Sequence, residues 1–518
     1  MKLKAKPISF DAGGKGIVVL NKHDAESIGA HALDRLVISK GKRNTIAILD
    51  VTERTVSPGT FLVNEEVVSS ININPNESID VSLAPPPESM QYIKDKIAGN
   101  AINHEKAEAI IRDVVEKHLS DIELSAFVTA LDIRGLSIDE AAALSLAMIE
   151  TGKRLKIKGN HIIADKHSAG GVPGDKTSII VVPIIAAGGL IIPKTSSRAI
   201  TSPAGTADRM EVLAPVSHSI EEIEKIVNKV KACLVWGGAL DLAPADDAFI
   251  KIEYPIGIDP LLLPSIMSKK KAVGATHLVV DLPTGRGAKI KTIGEADALA
   301  AKFMELGDRL GIKVSCAVTF GEQPIGHGIG PALEAKEALM TFSGKGSPEV
   351  EEKAVGLAAI LFESALKIKN GKAVAEKLLK SGKAEKKLRE IIAAQGGNDK
   401  VRSDDIALGS KTADVKAEKD GMVLWMMNQE IAHAAREAGA PKDKGAGMWI
   451  YHKLGSKVKK GDKLCTIYSN NSGRLQSALD SFEKYKPIII AKGYEEKMIM
   501  EKIIARKVPH RRIFALER

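Results

Sequence analysis

Between Asp165 and Glu211 the chain concentrates the residue types that hold an oxyanion. Lys166-His167-Ser168-Ala169-Gly170-Gly171-Val172-Pro173-Gly174-Asp175-Lys176-Thr177-Ser178 brings a lysine, hydroxyls and closely spaced glycines to a turn just ahead of Ile179-Ile180-Val181-Val182. Backbone N–H groups and a cation can converge there on one anion at the start of a helix, which is how a chain holds phosphate. Ser196-Ser197-Arg198-Ala199-Ile200-Thr201-Ser202-Pro203-Ala204-Gly205-Thr206-Ala207-Asp208 repeats the chemistry with serines, an arginine, threonines and another Gly-Thr pair. The intervening Pro183 to Pro193 segment is too apolar for a surface loop, so two anion-binding loops flank one buried element. The first loop lacks the Gly-x-x-x-x-Gly-Lys-Ser/Thr pattern of a P-loop, and alone it could be a structural turn. The second weighs against that alternative, because Arg, Ser and Thr beside a buried element are costly without a polar partner.

Elements must be found to position these loops. At 518 residues the chain is expected to hold three or four domains with ample core. Its three cysteines, Cys233, Cys316 and Cys465, share no disulfide or metal-ligand spacing, which fits a reducing cytoplasm. The basic start Met1-Lys2-Leu3-Lys4-Ala5-Lys6-Pro7 has no apolar h-region behind it, and no run of 18 apolar residues occurs, so a soluble, unprocessed protein without membrane contact is expected. A net charge of +9 invites nucleic acid as a partner, but only 4% of residues are aromatic and charges of both signs are interspersed. Few stacking platforms remain, so nucleic acid is set aside, and Glu221-Glu222-Ile223-Glu224-Lys225 and Glu351-Glu352-Lys353 read as solvated helix surface.

In chain order the pattern is α/β and multidomain. Residues 1–86 form a small β-rich domain, with strands at Gly16-Ile17-Val18-Val19-Leu20, Arg35-Leu36-Val37-Ile38, Thr45-Ile46-Ala47-Ile48-Leu49 and Ser78-Ile79-Asp80-Val81-Ser82-Leu83, a helix starting near Asp24, and Pro85-Pro86-Pro87 as its exit. Residues 89–155 are helical. Ser120 and Ser137 each stand three residues before a glutamate, Glu123 and Glu140, as capping boxes do. With 243–275, including a helical return from Asp259 to Lys271, they make a helical lobe. Apolar runs alternating with helices over 160–240 and 276–400 predict an α/β lobe with a mixed or parallel sheet, followed by an α+β C-terminal domain over 413–518. Substrate would sit in the cleft between the helical and α/β lobes.

Five ordered motifs carry a resemblance. They are Lys166 to Gly171, Ser197-Arg198-Ala199-Ile200-Thr201-Ser202-Pro203-Ala204-Gly205-Thr206-Ala207-Asp208-Arg209-Met210-Glu211, Ala243-Pro244-Ala245-Asp246-Asp247, Ser265-Ile266-Met267-Ser268-Lys269-Lys270, and Gly326-His327-Gly328-Ile329-Gly330-Pro331-Ala332-Leu333-Glu334. From Ser89 onward the chain resembles the thymidine/pyrimidine-nucleoside phosphorylase family. Within it the chain is similar to the archaeal AMP phosphorylase branch, which carries an added N-terminal domain. Two departures from the pyrimidine enzymes support the branch: Pro173 lengthens the first loop, and Ile252-Glu253-Tyr254 stands where those enzymes place an arginine for the pyrimidine carbonyl.

The resemblance implies phosphorolysis of AMP, with CMP and UMP as further candidates, to free base and ribose 1,5-bisphosphate, in AMP catabolism feeding a RuBisCO. It implies phosphate as co-substrate, no cofactor and no metal, and a homodimer or higher homo-oligomer. His104, His118, His218, His277 and His452 show no ligand spacing either. Carried over residue by residue, Lys166, Ser168, Ser178 and Ser196, with Thr206, would hold phosphate. Gly171, Ser197, Arg198, Ala199, Ile200, Thr201, Ser202, Thr206, Ser265 and Lys289 would line the AMP pocket. Asp259 would protonate the leaving adenine if burial raises its pKa, although a helix N-cap before Pro260 is the competing assignment. His167 either contacts the base or sugar, with a share in catalysis, or buttresses the loop. Alternatives are a nucleoside phosphorylase, a phosphoribosyltransferase using Asp246-Asp247 for Mg²⁺, or a non-enzymatic basic RNA-binding scaffold.

Overall fold

The computed structural model describes every residue except 11, 160, 200, 201, 241 and 493–518. At the N-terminus, alternation dictates a barrel. In Lys2–Pro7 the side chains of Leu3 and Ala5 are buried while Lys2, Lys4 and Lys6 face solvent. This strand pairs parallel with Thr60–Val63 and antiparallel with Ser78–Leu83, closing a six-stranded barrel that also contains Ile17–Asn21, Arg35–Lys40 and Arg43–Thr52. Two of these strands, Lys2–Pro7 and Thr60–Val63, go beyond the expected set, and they are the ones that close the sheet and abolish its edges.

The helical lobe consists of Ser89–Ile97, His104–Val115, Asp121–Arg134, Ile138–Thr151, Pro244–Ile256 and Leu262–Ala272. Both capping boxes form. The Ser120 and Ser137 hydroxyls accept from the N–H groups of Glu123 (3.3 Å) and Glu140 (3.2 Å), and the glutamates reach back to the serine N–H groups. Phe127 and Phe249 meet at 6.0 Å in the core, fastening Pro244–Ile256 to the bundle.

Five strands build the α/β lobe. Lys313–Phe320, His277–Thr284 and Ala164–Ser168 lie side by side; Ile192–Ser196 pairs with Ala232–Trp236; a bridge from Ile163 to Ile191 joins the two groups. Of the mixed or parallel sheet expected of this lobe, each of these pairings is parallel, and the crossovers between the strands run through helices. Ligands bind such sheets outside the carboxyl ends of the strands, and the Lys166 loop, the Ser197 loop and the Gly285–Thr292 loop all leave from those ends. Helix Thr177–Ala187 is buried from Thr177 to Ala186. Its β-branched run is a poor helix former, and tertiary burial overrides the propensity.

The C-terminal domain is α+β, with strands from Lys411 to Ala491 and helices Asn428–Glu437 and Ser472–Tyr485. It hooks onto the α/β lobe through residues 321–330: Gly328 and Ile329 pair antiparallel with Trp449 and Met448. The Lys453 ammonium donates to the carbonyls of Pro324 and Gly326, and the Asn428 amide donates to Gly321 O at 2.9 Å. Among the described residues no helix is long and apolar enough to cross a membrane.

Candidate active site

The first anion loop closes around the Lys166 ammonium. Lys166 is 1% exposed, and its Nζ lies 3.1 Å from Thr177 Oγ1, 3.4 Å from Ser178 Oγ and 3.5 Å from Asp175 Oδ2. Ser168 donates to Asp281 Oδ2 at 2.9 Å, and that same oxygen is 4.0 Å from Lys166 Nζ. The expected trio Lys166, Ser168 and Ser178 is therefore brought together at one strand end. Burial pushes the Asp175 carboxyl up, but Lys166 and Lys353 outweigh it and hold it well below the usual range, so it stays ionised. Backbone crowding explains the glycines. Gly174 has φ +81°, and a β-carbon there would meet Ile325 O at 2.5 Å.

Beneath the loop lies a lysine-rich layer. Asp165, fully buried, accepts from Lys270 at 2.8 Å and faces Lys194 at 3.9 Å. Burial and then Lys270 drive the Lys194 pKa well below the lysine range. Burial and the lysines 270, 194, 166 and 269 likewise depress His167, which is therefore a neutral imidazole near pH 7. A neutral imidazole suits hydrogen bonding to substrate or loop better than proton donation.

In the second loop Arg198 is held in a fork by Glu211, at 2.7 and 2.6 Å, and lies 5.0 Å over the Trp236 ring. That pairing draws the Glu211 carboxyl down to about 2. The Arg198 guanidinium, expected in the AMP pocket, thus also braces the loop. Asp208 Oδ2 accepts from Ala199 N–H (2.7 Å) and Gly205 N–H (2.8 Å), tying the two ends of the loop together. Gly205 is required there, since a β-carbon would lie 2.6 Å from Ser197 O. Ser202 donates to Ala204 O at 3.2 Å, while Ile200 and Thr201 lie outside the described residues. Ser196 and Thr206 sit on this second loop, with hydroxyls turned to Val235 O (3.3 Å) and Arg209 (3.3 Å).

Across the cleft, Asp259 lies in the connector between helices Pro244–Ile256 and Leu262–Ala272. The second helix starts at Leu262 with Leu261 as its cap, so the N-cap alternative for Asp259 fails. Its Oδ2 is 3.8 Å from Lys289 Nζ; the side chain is 48% exposed at the mouth of the cleft, and partial desolvation raises its pKa against the pull of that lysine. Lys289 in turn packs on the first loop: a β-carbon on Gly171, φ +91°, would meet Lys289 N at 2.6 Å. Gly171, Lys289 and Asp259 thus span the cleft in contact, each from a different loop. Ser265 is half-buried one turn into the following helix, and its carbonyl accepts from Ser268 at 3.2 Å.

Three residues of this neighbourhood escaped sequence reasoning. Glu253 is 6% exposed, accepts from Leu261 N–H at 3.2 Å and is pushed to about 7 by burial and by Asp259. Asp281, a charge inside the apolar run Leu278-Val279-Val280-Asp281-Leu282, was a signal that could have been used. Lys353 corrects the assignment of Glu351-Glu352-Lys353 to solvated surface, for its side chain is only 9% exposed and its Nζ lies 2.9 Å from Asp281 Oδ2. Chain spacing singled out no histidine as a ligand, yet the fold groups His104 with Glu108 and Glu150, and His118 with Asp113 and Glu116. Both groups belong to the helical lobe, and ion pairing of His118 with Asp113 at 3.0 Å and Glu116 at 3.4 Å accounts for the second. Asp246, half of the pair considered for Mg²⁺, is buried and bound to the Lys269 ammonium.

Three family models match the chain: the helical bundle domain of the glycosyl transferase family over residues 90–152, the a/b domain of that family over 160–385, and the pyrimidine nucleoside phosphorylase C-terminal domain over 422–488. An AMP phosphorylase of Thermococcus kodakarensis is 48% identical over 97% of this chain and 99% of its own. One from Thermofilum pendens is 46% identical over 97% of this chain and 98% of its own. Among solved structures, anthranilate phosphoribosyltransferase from Thermus thermophilus aligns with a TM-score of 0.50 at 20% identity, covering 58% of this chain and 98% of that one. That last likeness is one of fold.

Proposed function

The chain belongs to the AMP phosphorylases, and from that membership we propose that its cleft cleaves AMP with inorganic phosphate to adenine and ribose 1,5-bisphosphate. It is a pentosyltransferase, and the observation that carries the detailed reading is the Gly171–Lys289–Asp259 contact, which sets a carboxyl of raised pKa opposite a lysine-and-hydroxyl cradle.

In this reading phosphate rests on Lys166, Ser168 and Ser178 below C1′ of the ribose, where charge-assisted hydrogen bonds fix it as a positioned nucleophile. As the N-glycosidic bond lengthens, the sugar gains oxocarbenium character and the purine gains negative charge. Asp259 transfers its proton to N7 of adenine. Partial desolvation of this half-exposed carboxyl shifts it toward the protonated form, which a general acid needs near neutral pH. The second loop, with Ser265 and Lys289, grips the nucleotide. Phosphate is the co-substrate and no cofactor is required, the assembly is a homodimer or larger, and the bisphosphate product feeds a RuBisCO through AMP catabolism. The phosphoribosyltransferase alternative is disfavoured because the Asp246 carboxylate is already bound to Lys269.

The test is a screen of AMP, CMP, UMP and adenosine with phosphate, with and without Mg²⁺, reading ribose 1,5-bisphosphate. Equal turnover of adenosine and AMP would overturn the nucleotide assignment. Asp259→Asn is expected to lower kcat at least about a hundredfold while AMP binding persists; a near-normal rate would remove Asp259 from its role.

A further inference from the structure

Helix Pro348–Leu366 runs beside the buried helix of the first loop and contributes Lys353, which lies far from the anion-binding motifs in sequence. Its side chain is 9% exposed, and its ammonium makes no hydrogen bond. The nearest carboxylate, Asp281, is 2.9 Å away but out of line, and Asp281 already accepts from Ser168 (2.9 Å) and from Thr319 (2.6 Å). A buried ammonium with unaimed donors is costly, so the surroundings ask for an acceptor that Asp281 does not supply.

Charge counting gives the acceptor its sign. Around the loop, the ammoniums of Lys166, Lys194, Lys270 and Lys353 face the carboxylates of Asp165, Asp175 and Asp281. Four ammoniums thus share three carboxylates, and Lys166 already spreads its donors over Thr177, Ser178 and Asp175. A dianion held against this set needs a further aimed cation. Asp281 joins Lys353 to both Ser168 and Lys166, so the unaimed ammonium stands at the edge of the cradle.

We infer that Lys353 binds the attacking inorganic phosphate, closing the Lys166–Ser168–Ser178 cradle from the helix side. This rests on the phosphorolysis reading and deepens it, because it assigns the nucleophile a ligand that none of the loop motifs contains. Lys353 grips phosphate and leaves the nucleotide to the second loop.

The test uses the full-length enzyme and its variants Lys353→Met, Lys353→Arg and the double variant Lys353→Met/Asp281→Asn. Phosphate binding is measured by calorimetry with inorganic phosphate alone, and KM for phosphate and for AMP by initial rates. Loss of one charge-assisted contact is expected to raise the phosphate Kd and KM about ten- to a hundredfold in Lys353→Met, with KM for AMP within about twofold. Arginine should restore part of the affinity. The double variant should not, since the missing group is a phosphate donor. Recovery in the double variant would mean that Lys353 only neutralises Asp281, and overturns the inference. So would an unchanged phosphate KM, or a rise in KM for AMP alone. If the wild-type enzyme neither binds phosphate nor splits AMP, the phosphorolysis reading itself falls; if it does both and Lys353→Met does the same, only the role of Lys353 falls.

Discussion

Alanine at Gly171 probes the packing within the α/β lobe that sets Lys289 opposite Asp259. Gly171 and its neighbour Gly170 both have left-handed backbones, with φ of +91° and +79°, so either alanine carries a backbone penalty of about 1–2 kcal/mol. Only Gly171 adds a contact. A β-carbon there lies 2.6 Å from Lys289 N and 3.0 Å from its Cγ, whereas at Gly170 nothing lies within 4 Å. Reaching ordinary van der Waals separation needs the Lys289 backbone to retreat by roughly 0.8 Å, an overpacking cost of about 1–3 kcal/mol. The retreat shifts Lys289 relative to Asp259, which lies 3.8 Å from its ammonium. Misplacing a catalytic neighbourhood by about 1 Å is worth about a hundredfold in rate. Initial rates against AMP and phosphate should therefore show Gly170→Ala within about threefold of wild type in kcat/KM, and Gly171→Ala reduced about thirty- to a hundredfold. Thermal melts of both variants separate misplacement from unfolding. Equal losses in the two variants, or a Gly171→Ala enzyme with normal kcat/KM, would refute the argument that this contact aligns the site.

Two further outcomes follow from the titrating groups. Glu253, raised to about 7, binds its proton more tightly in the folded chain. Its stabilising contribution is present below the unfolded value near 4.5 and is lost as pH rises through about 7, so Glu253→Gln, which still accepts from Leu261 N–H, should flatten the fall in melting temperature between pH 5 and pH 8. An unaltered pH profile would show that Glu253 is not the titrating group. Glu211 shifts the other way, to about 2, so its contribution is present above the unfolded value and fades as pH falls through about 2. Glu211→Gln should raise KM for AMP about tenfold at pH 7 by freeing Arg198, and Arg198→Lys, which loses the two-pronged geometry, should follow it. Unchanged KM in both would disconnect the Arg198 brace from the loop.

What could be read from the chain was local. Ser120 with Glu123 and Ser137 with Glu140 announce helix starts because a capping box is a contact between residues three apart. The same holds for the Lys166 loop, whose cation, hydroxyls and glycines lie within one turn. The fold class was legible for this reason. Lys2–Pro7 was harder, since its alternating lysines look like a basic tail until Ser78–Leu83 pairs with it. Lys353 was misread for the opposite reason. Its neighbours Glu351 and Glu352 resemble a solvated face, and only the packing of helix Pro348–Leu366 turns this one lysine inward. Glu253 looks like any helical glutamate until the following connector folds back and places Leu261 N–H and Asp259 beside it. Buried charges answer to partners distant in sequence, and spacing does not report them.

The hook between residues 321–330 and the C-terminal domain has a consequence for how such chains can be recombined. Ile325 carries the carbonyl against which Gly174 is fitted, and its N–H donates to Pro173 O at 3.0 Å, while Lys453 and Asn428 hold the same segment from the far side. The C-terminal domain therefore acts as a backing plate for the anion loop, although a linear map would draw it as a detachable module. A chimera that exchanges residues 411–492 with those of another chain must carry residues 321–330 as part of the same cassette. Otherwise it joins two surfaces that were never shaped to one another, and the loss is felt at Lys166.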